Sequence, residues 1–246
     1  MDKGTNAENI LEIEGLDCFY GDFQALFDVS MKIPKGRIVS IIGANGSGKS
    51  TLLNAIMGVN KPGAGRITLE SRDITGKRTS DIVSYGLTIS PEGSSVFEDM
   101  SVLENLLMGA YLNAPRKNRQ ANLAKVFELF PVLDEKQKQL ATFLSGGQRQ
   151  MLAIARAFMS EPKMLICDEI SLGLAPVVVK DLYKKIKEIN DTGVTILLVE
   201  QEVKRSLQFS DYSYVMVKGR VVIEGKSSEL QEEEVKDAYL GIHKYA

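Results

Sequence analysis

The sequence is short of several features at once, and each shortage excludes something. No run approaches the ~18 consecutive apolar residues of a membrane-crossing helix. The start, MDKGTNAENILEIEG, lacks a basic segment followed by an apolar one. Any membrane role is therefore expected to come through a partner. Cysteine is limited to Cys18 and Cys167, far apart in the chain, and Cys167 sits inside an apolar run. Two buried free thiols, suited to a reducing cytoplasm, are expected rather than a disulfide. Neither sign of charge is in excess: 30 Lys plus Arg face 32 Asp plus Glu, a formal net charge of −2. That balance disfavours a surface built for nucleic acid. Histidine occurs once, at His243. Internal repeats, low-complexity tracts and obvious linkers are absent. What is present is 246 residues, 44% hydrophobic and 25% charged, enough to bury a full core as one large domain or two small ones.

Apolar alternation at Ile10–Ile13, then Val29–Ile33 and Ile38–Ile42, predicts a run of strands. Leu52–Met57 reads as a short helix stopped by Gly58, and Lys61-Pro-Gly-Ala-Gly65 breaks the chain. Arg66–Leu69 and Leu87–Ser90 read as strands, with Thr79–Tyr85 a short helix between them. Between Pro91 and Pro162 the pattern turns helical, with Leu103, Leu106, Leu107 and Ala110 on one face and Leu123, Val126, Phe127 and Phe130 on another. Strands return at Met164–Cys167, Val194–Val199 and Tyr214–Val217, with a helix at Val177–Asn190, and Glu232-Glu-Glu234 reads as a solvated helix start. The expected fold is α/β, a mostly parallel sheet with crossover helices, an antiparallel β region near the N-terminus and a helical insert.

Two Gly-rich segments and one acidic strand end carry the chemistry. Gly43-Ala-Asn-Gly-Ser-Gly-Lys-Ser50 fits G-x-x-x-x-G-K-[ST], a P-loop, and lies between a strand and a helix as that motif requires. Its glycines let backbone N–H groups point inward at phosphate; Lys49 adds charge toward the β- and γ-phosphates, and Ser50 offers a hydroxyl to Mg²⁺. Gly43, Asn45, Gly46, Ser47, Gly48, Lys49, Ser50 and Thr51 are the expected nucleotide contacts. Leu144-Ser-Gly-Gly-Gln-Arg-Gln150 opens an amphipathic stretch, Met151–Phe158, and puts N–H groups and the positive end of a helix dipole at a bare surface. Ser145, Gly146, Gly147 and Gln148 are thus a second phosphate-binding candidate, although SGG alone also describes an ordinary helix cap and turn. Met164-Leu-Ile-Cys-Asp-Glu169 delivers two carboxylates at the end of an apolar strand. Asp168 can hold Mg²⁺ and Glu169 can orient or deprotonate water, while a strand-end Asp-Glu pair can equally cap a helix.

These three motifs, in this order, resemble the ATP-binding cassette family from about Leu11 to Leu240. The resemblance implies a P-loop NTPase in a single domain over 1–246, with a core at roughly 1–90 and 162–246 and a helical subdomain at roughly 91–161. It implies an ATPase using ATP and Mg²⁺, peripheral at the cytoplasmic face of the inner (plasma) membrane and working with integral-membrane permease subunits. It also implies active sites between two cassettes, identical or related, set head to tail, with Lys49 of one facing Ser145, Gly146 and Gly147 of the other. Tyr20 matches the aromatic that stacks on adenine. Glu92, in Ser90-Pro-Glu-Gly93, stands where the family has a Gln near nucleotide and metal, Ile170 where it has Pro, and Gln201 where it has a His that meets the γ-phosphate. His243 comes too late in the chain to replace that His. PEG, SLGLAP, LVEQ, AYLG (Ala238–Gly241) and ELFP (Glu128–Pro131) look like the ATPase subunits of branched-chain amino acid importers.

Rival trades fit less well. A chromosome-type cassette needs a long coiled coil and a ribosome-type protein two cassettes, and neither fits in 246 residues. A P-loop kinase or GTPase has no use for LSGGQRQ, and a guanine-selecting Asn-Lys-x-Asp is missing.

Overall fold

The computed structural model describes residues 8–112 and 116–240; the start of the chain, Gly241 of the AYLG run and His243 lie outside the described residues. The chain divides into two compact units, Met1–Ile82 with Gln201–Ala246, and Val83–Glu200.

The first unit opens with an antiparallel hairpin, β1 (Asn9–Tyr20) and β2 (Phe23–Pro34). After β3 (Ile38–Ile42), β4 (Ala64–Leu69) pairs with the other edge of β1, and β5 (Arg72–Asp73) lies outermost. β1 is far longer than Ile10–Ile13. Its pairing register shifts between Ile13 and Leu16, around Gly15. That bulge breaks the period of two, so the continuing strand does not alternate as one run. Leu11, Ile13, Leu16 and Cys18 are nevertheless all buried, with Met31 and Ile67 set opposite Ile13. All of β3 is buried, as a strand covered on both faces must be. It runs parallel to β9 (Tyr212–Val217), whose antiparallel neighbour is β10 (Arg220–Lys226).

β10 was not expected from the sequence; the turn before it, Lys218-Gly219, has positive φ at both residues (48° and 79°). Helix α1 (Lys49–Ile56) belongs to this unit, as do two helices near its end, Val203–Phe209 and Glu232–Leu240, and α2 (Thr79–Ser84) begins in it. Ile42, Val203, Val215, Ile223, Val235 and Ala238 pack as one cluster. Beside β3 lies a ring of hydroxyls: Ser40 Oγ meets Ser213 Oγ at 2.7 Å and Ser210 Oγ at 2.9 Å, and Ser227 Oγ meets both of those at 2.7 and 3.0 Å.

The second unit holds three parallel strands, β6 (Leu87–Ser90), β7 (Met164–Asp168) and β8 (Thr195–Glu200), with β7 between the other two. Its helical stretch comprises α3 (Val102–Gly109), α4 (Arg119–Leu129), α5 (Pro131–Glu135) and α6 (Gly146–Phe158). Of the expected face Leu103, Leu106, Leu107 and Ala110, Leu106 and Ala110 are buried and Leu103 and Leu107 half-buried, with Val102 and Asn105 buried beside them. Asn105 is a buried amide that accepts from Phe97 N at 2.8 Å and donates to Phe97 O at 2.9 Å and Ser101 O at 3.0 Å. It ties down the loop before the helix, and a hydrophobic pattern does not register it. Between β7 and β8 runs α7 (Pro176–Asp191), burying Val179, Leu182, Tyr183, Ile186 and Ile189 at helical spacing. Pro176 sits at its first turn, where a missing N–H costs nothing. The two helices near the chain's end are α8 (Val203–Phe209) and α9 (Glu232–Leu240).

Candidate functional site

The Gly-rich loop closes on its own lysine. Lys49 is buried at the first turn of α1, and its ammonium donates to Gly43 O at 2.8 Å and Ala44 O at 3.2 Å. Gly48 caps that helix with φ 105°, where an L side chain is strained, and a Cβ there would also meet Leu26 at 2.9 Å. A Cβ on Gly43 would collide with the Ser47 side chain and lie 2.9 Å from Met216 O. Ser47 Oγ is buried without a hydrogen-bond partner, an arrangement that costs free energy until something supplies one. Asn45, Gly46 and Ser50 are exposed and Thr51 is half-buried. A bent backbone, an orphaned hydroxyl and a cation parked on carbonyls together fit an anionic ligand with many oxygens.

In the second unit, β7 delivers a half-buried Asp168, and the next residue departs from extended backbone: Glu169 has φ 45°, rare for a residue with a Cβ. Its amide donates to Val199 O at 2.8 Å and its side chain is buried. Glu169 is not a helix cap, since α7 begins after Ala175. Burial, with Glu200 and Asp168 nearby, pushes the Cys167 thiol far above its ordinary value. Both cysteines are free and buried.

Ser145 caps α6 in a reciprocal box: its hydroxyl accepts from Gln148 N at 3.3 Å, and Gln148 Oε1 accepts from Ser145 N at 3.1 Å. Gly146 is exposed, whereas Gly147 is buried and a Cβ on it would collide with Val178 of α7. One glycine leaves bare backbone at the surface, and the other lets two helices approach. α6 also holds the segment after Glu92. Gln150 Oε1 accepts from Ser94 Oγ at 2.6 Å, and Arg156 donates to Ser95 O at 2.5 Å while lying 4.9 Å from the Phe97 ring centre. Glu92 itself is exposed in a 3₁₀ turn, Glu92–Ser94. From the sequence, Gln150 closes the Leu144–Gln150 segment and Arg156 lies in the amphipathic stretch that follows, and neither carries an expected role.

A family model described as ABC transporter matches residues 26–171. The chain belongs to the ABC transporter ATP-binding family. As an ABC ATPase it binds and hydrolyses ATP. It is 42% identical over 233 residues to the high-affinity branched-chain amino acid transport ATP-binding protein BraG of Pseudomonas aeruginosa, covering 94% of this chain and 100% of that one. It is 35% identical over 251 residues to the probable branched-chain amino acid transport ATP-binding protein LivG of Methanocaldococcus jannaschii, covering 94% and 97%. Its fold is similar to a crystal structure of the ADP conformation of an ATP-binding cassette of an ABC transporter, with TM-score 0.80, 34% identity and coverage of 94% and 95%.

Two further positions of this ABC ATPase are now placed. Tyr20 ends β1 at 51% exposure, beside the exposed Phe19 and Phe23, so it is not a core residue. Gln201 is half-buried and is not the cap of α8; Glu202 takes that role, accepting from Arg205 N at 3.3 Å. No described helix is long and apolar enough to cross a membrane.

Proposed function

We propose that this ABC ATPase powers import of branched-chain amino acids, or of a similar small solute, through separate membrane subunits at the cytoplasmic face of the inner membrane. The observation that carries the reading is the 42% identity, over the whole length of the relative, with an ATPase named for that transport. Gly43–Thr51 would wrap the phosphates, Lys49 would leave its two carbonyls for the β- and γ-phosphates, and Tyr20 would stack on adenine. Ser50, Asp168 and Glu92 are the residues that would hold Mg²⁺. That ion would neutralise charge between the phosphates. Glu169 would orient and deprotonate the attacking water, and Gln201 would donate its amide to the γ-phosphate. Ser145, Gly146, Gly147 and Gln148 would meet nucleotide bound to a second cassette, identical or related, set head to tail. Within a single domain, 91–161 would act as the helical subdomain and the remainder as the core.

The test is uptake into proteoliposomes containing the assembled transporter, supplied with ATP and labelled leucine or labelled urea. Leucine should accumulate with the native chain and not with Lys49→Ala. Urea uptake without leucine uptake would reassign the cargo. ATP turnover with no uptake of either solute would remove the importer reading.

A further inference from the structure

Glu200, the last residue of β8, carries a carboxylate at 3% exposure. Its Oε1 accepts from the Tyr183 hydroxyl at 2.8 Å, and its Oε2 accepts from Ser171 Oγ at 3.1 Å. Pure packing has no need of this: an apolar side chain would fill the space without the cost of desolvating a charge. The two donors come from different places. Tyr183 lies on α7 and sets the orientation of the carboxylate, while Ser171 lies two residues beyond Glu169. Residues 169–171 are therefore attached to the end of β8 twice, through Glu169 N to Val199 O at 2.8 Å and through Ser171 to Glu200. Between the attachments stands Ile170, buried but without a ring to lock its φ. The left-handed backbone of Glu169 (φ 45°) thus depends on bonds to its neighbours.

We infer that Glu200 is a positioning residue for ATP hydrolysis: it acts through Ser171 to hold the backbone that aims the Glu169 carboxylate. The inference rests on Glu169 being the residue that handles the attacking water. Losing the attachment leaves the nucleotide loop untouched and misaims only the reacting step, so kcat falls and KM for ATP does not.

The experiment measures ATP turnover and thermal midpoint of the assembled transporter carrying Ser171→Ala, Ser171→Thr, Glu200→Gln, the Ser171→Ala/Glu200→Gln pair, or Glu169→Gln. Ser171→Ala should lower kcat by ~10-fold with KM within about twofold, as loss of one charge-assisted hydrogen bond implies. Ser171→Thr, which keeps the hydroxyl, should recover most of that loss. Glu200→Gln turns one acceptor into a donor and should act in the same direction, with the pair no worse than the stronger single change. Native kcat in Ser171→Ala, failure of threonine to rescue, multiplying losses in the pair, or a kcat loss that tracks the thermal midpoint would each overturn the inference. Near-native turnover in Glu169→Gln would remove the water-handling role itself, whereas an inactive Glu169→Gln beside a fully active Ser171→Ala would remove only the attachment.

Discussion

Gly147 offers a way to separate packing from nucleotide contact within the LSGGQ segment. It is the second residue of α6, buried, and a Cβ on it would collide with Val178 of α7. Two opposed effects then set the outcome of Gly147→Ala. Alanine favours helix by about 0.5–1 kcal/mol over glycine, whereas forcing a methyl group into a filled contact costs about 1–3 kcal/mol. The net expectation is destabilisation by ~0.5–2 kcal/mol. Removing the obstacle should reverse the sign: in a Val178→Ala background the helix-forming gain remains and the clash is gone. Gly147→Ala should then stabilise by a few tenths of a kcal/mol or more. Urea unfolding of the native chain, both single variants and the pair gives the coupling directly, and its expected size is about 1–3 kcal/mol. A coupling below roughly 0.5 kcal/mol, within the range seen for independent sites, would refute the packing role of Gly147. ATP turnover by the refolded pair in the assembled transporter then reports what the added methyl does to the neighbouring cassette's nucleotide.

Three other outcomes are expected. Lys49→Ala removes the cation held on Gly43 O and Ala44 O, so ATP affinity by calorimetry should fall in a folded protein; unchanged affinity would mean the loop is not the site. Gln201→Ala should lower turnover by ~10-fold or more with little change in stability, because α8 keeps its cap at Glu202; native turnover in the assembled transporter would show that the γ-phosphate contact is dispensable. Burial pushes the Cys18 thiol up to about 11 and Cys167 further still, so at pH 8 roughly one Cys18 in a thousand is ionised. Iodoacetamide should label neither cysteine until denaturant is added, and rapid labelling of the native chain would contradict the burial.

Motifs were legible wherever one residue type does one job over a short span. Gly43–Ser50, Met164–Glu169 and the apolar strand cores all read directly, because a phosphate loop and a doubly covered strand each demand particular residues in sequence. Strand ends read less well. The Gly15 bulge interrupts the alternation of β1, and β10 exposes Arg220 and Glu224 while half-burying Val221 and Val222, so neither strand shows a clean period of two. Lys218-Gly219 between two β-rich runs was the available signal for the second hairpin. Asn105 and Glu200 were illegible for a different reason. Each is a polar residue whose partners are set by tertiary placement, and no local spacing brings Tyr183 and Ser171 to one carboxylate.

The serine ring beside β3 bears on how the first unit avoids misassembly. A strand of five buried residues such as β3 can slide by two positions along β9 and still bury side chains on both faces, so hydrophobicity alone discriminates weakly between alignments. Ser40 is paired opposite Ser213 in the parallel register, and their hydroxyls meet at 2.7 Å. A two-residue slip toward Val215 would set Ser40 opposite a buried apolar residue and take its hydroxyl from Ser213, while Ser210, Ser213 and Ser227 would keep their bonds to one another. That alignment is penalised by the stranded Ser40 hydroxyl, and the Ser40–Ser213 pair acts as a key cut for the native register.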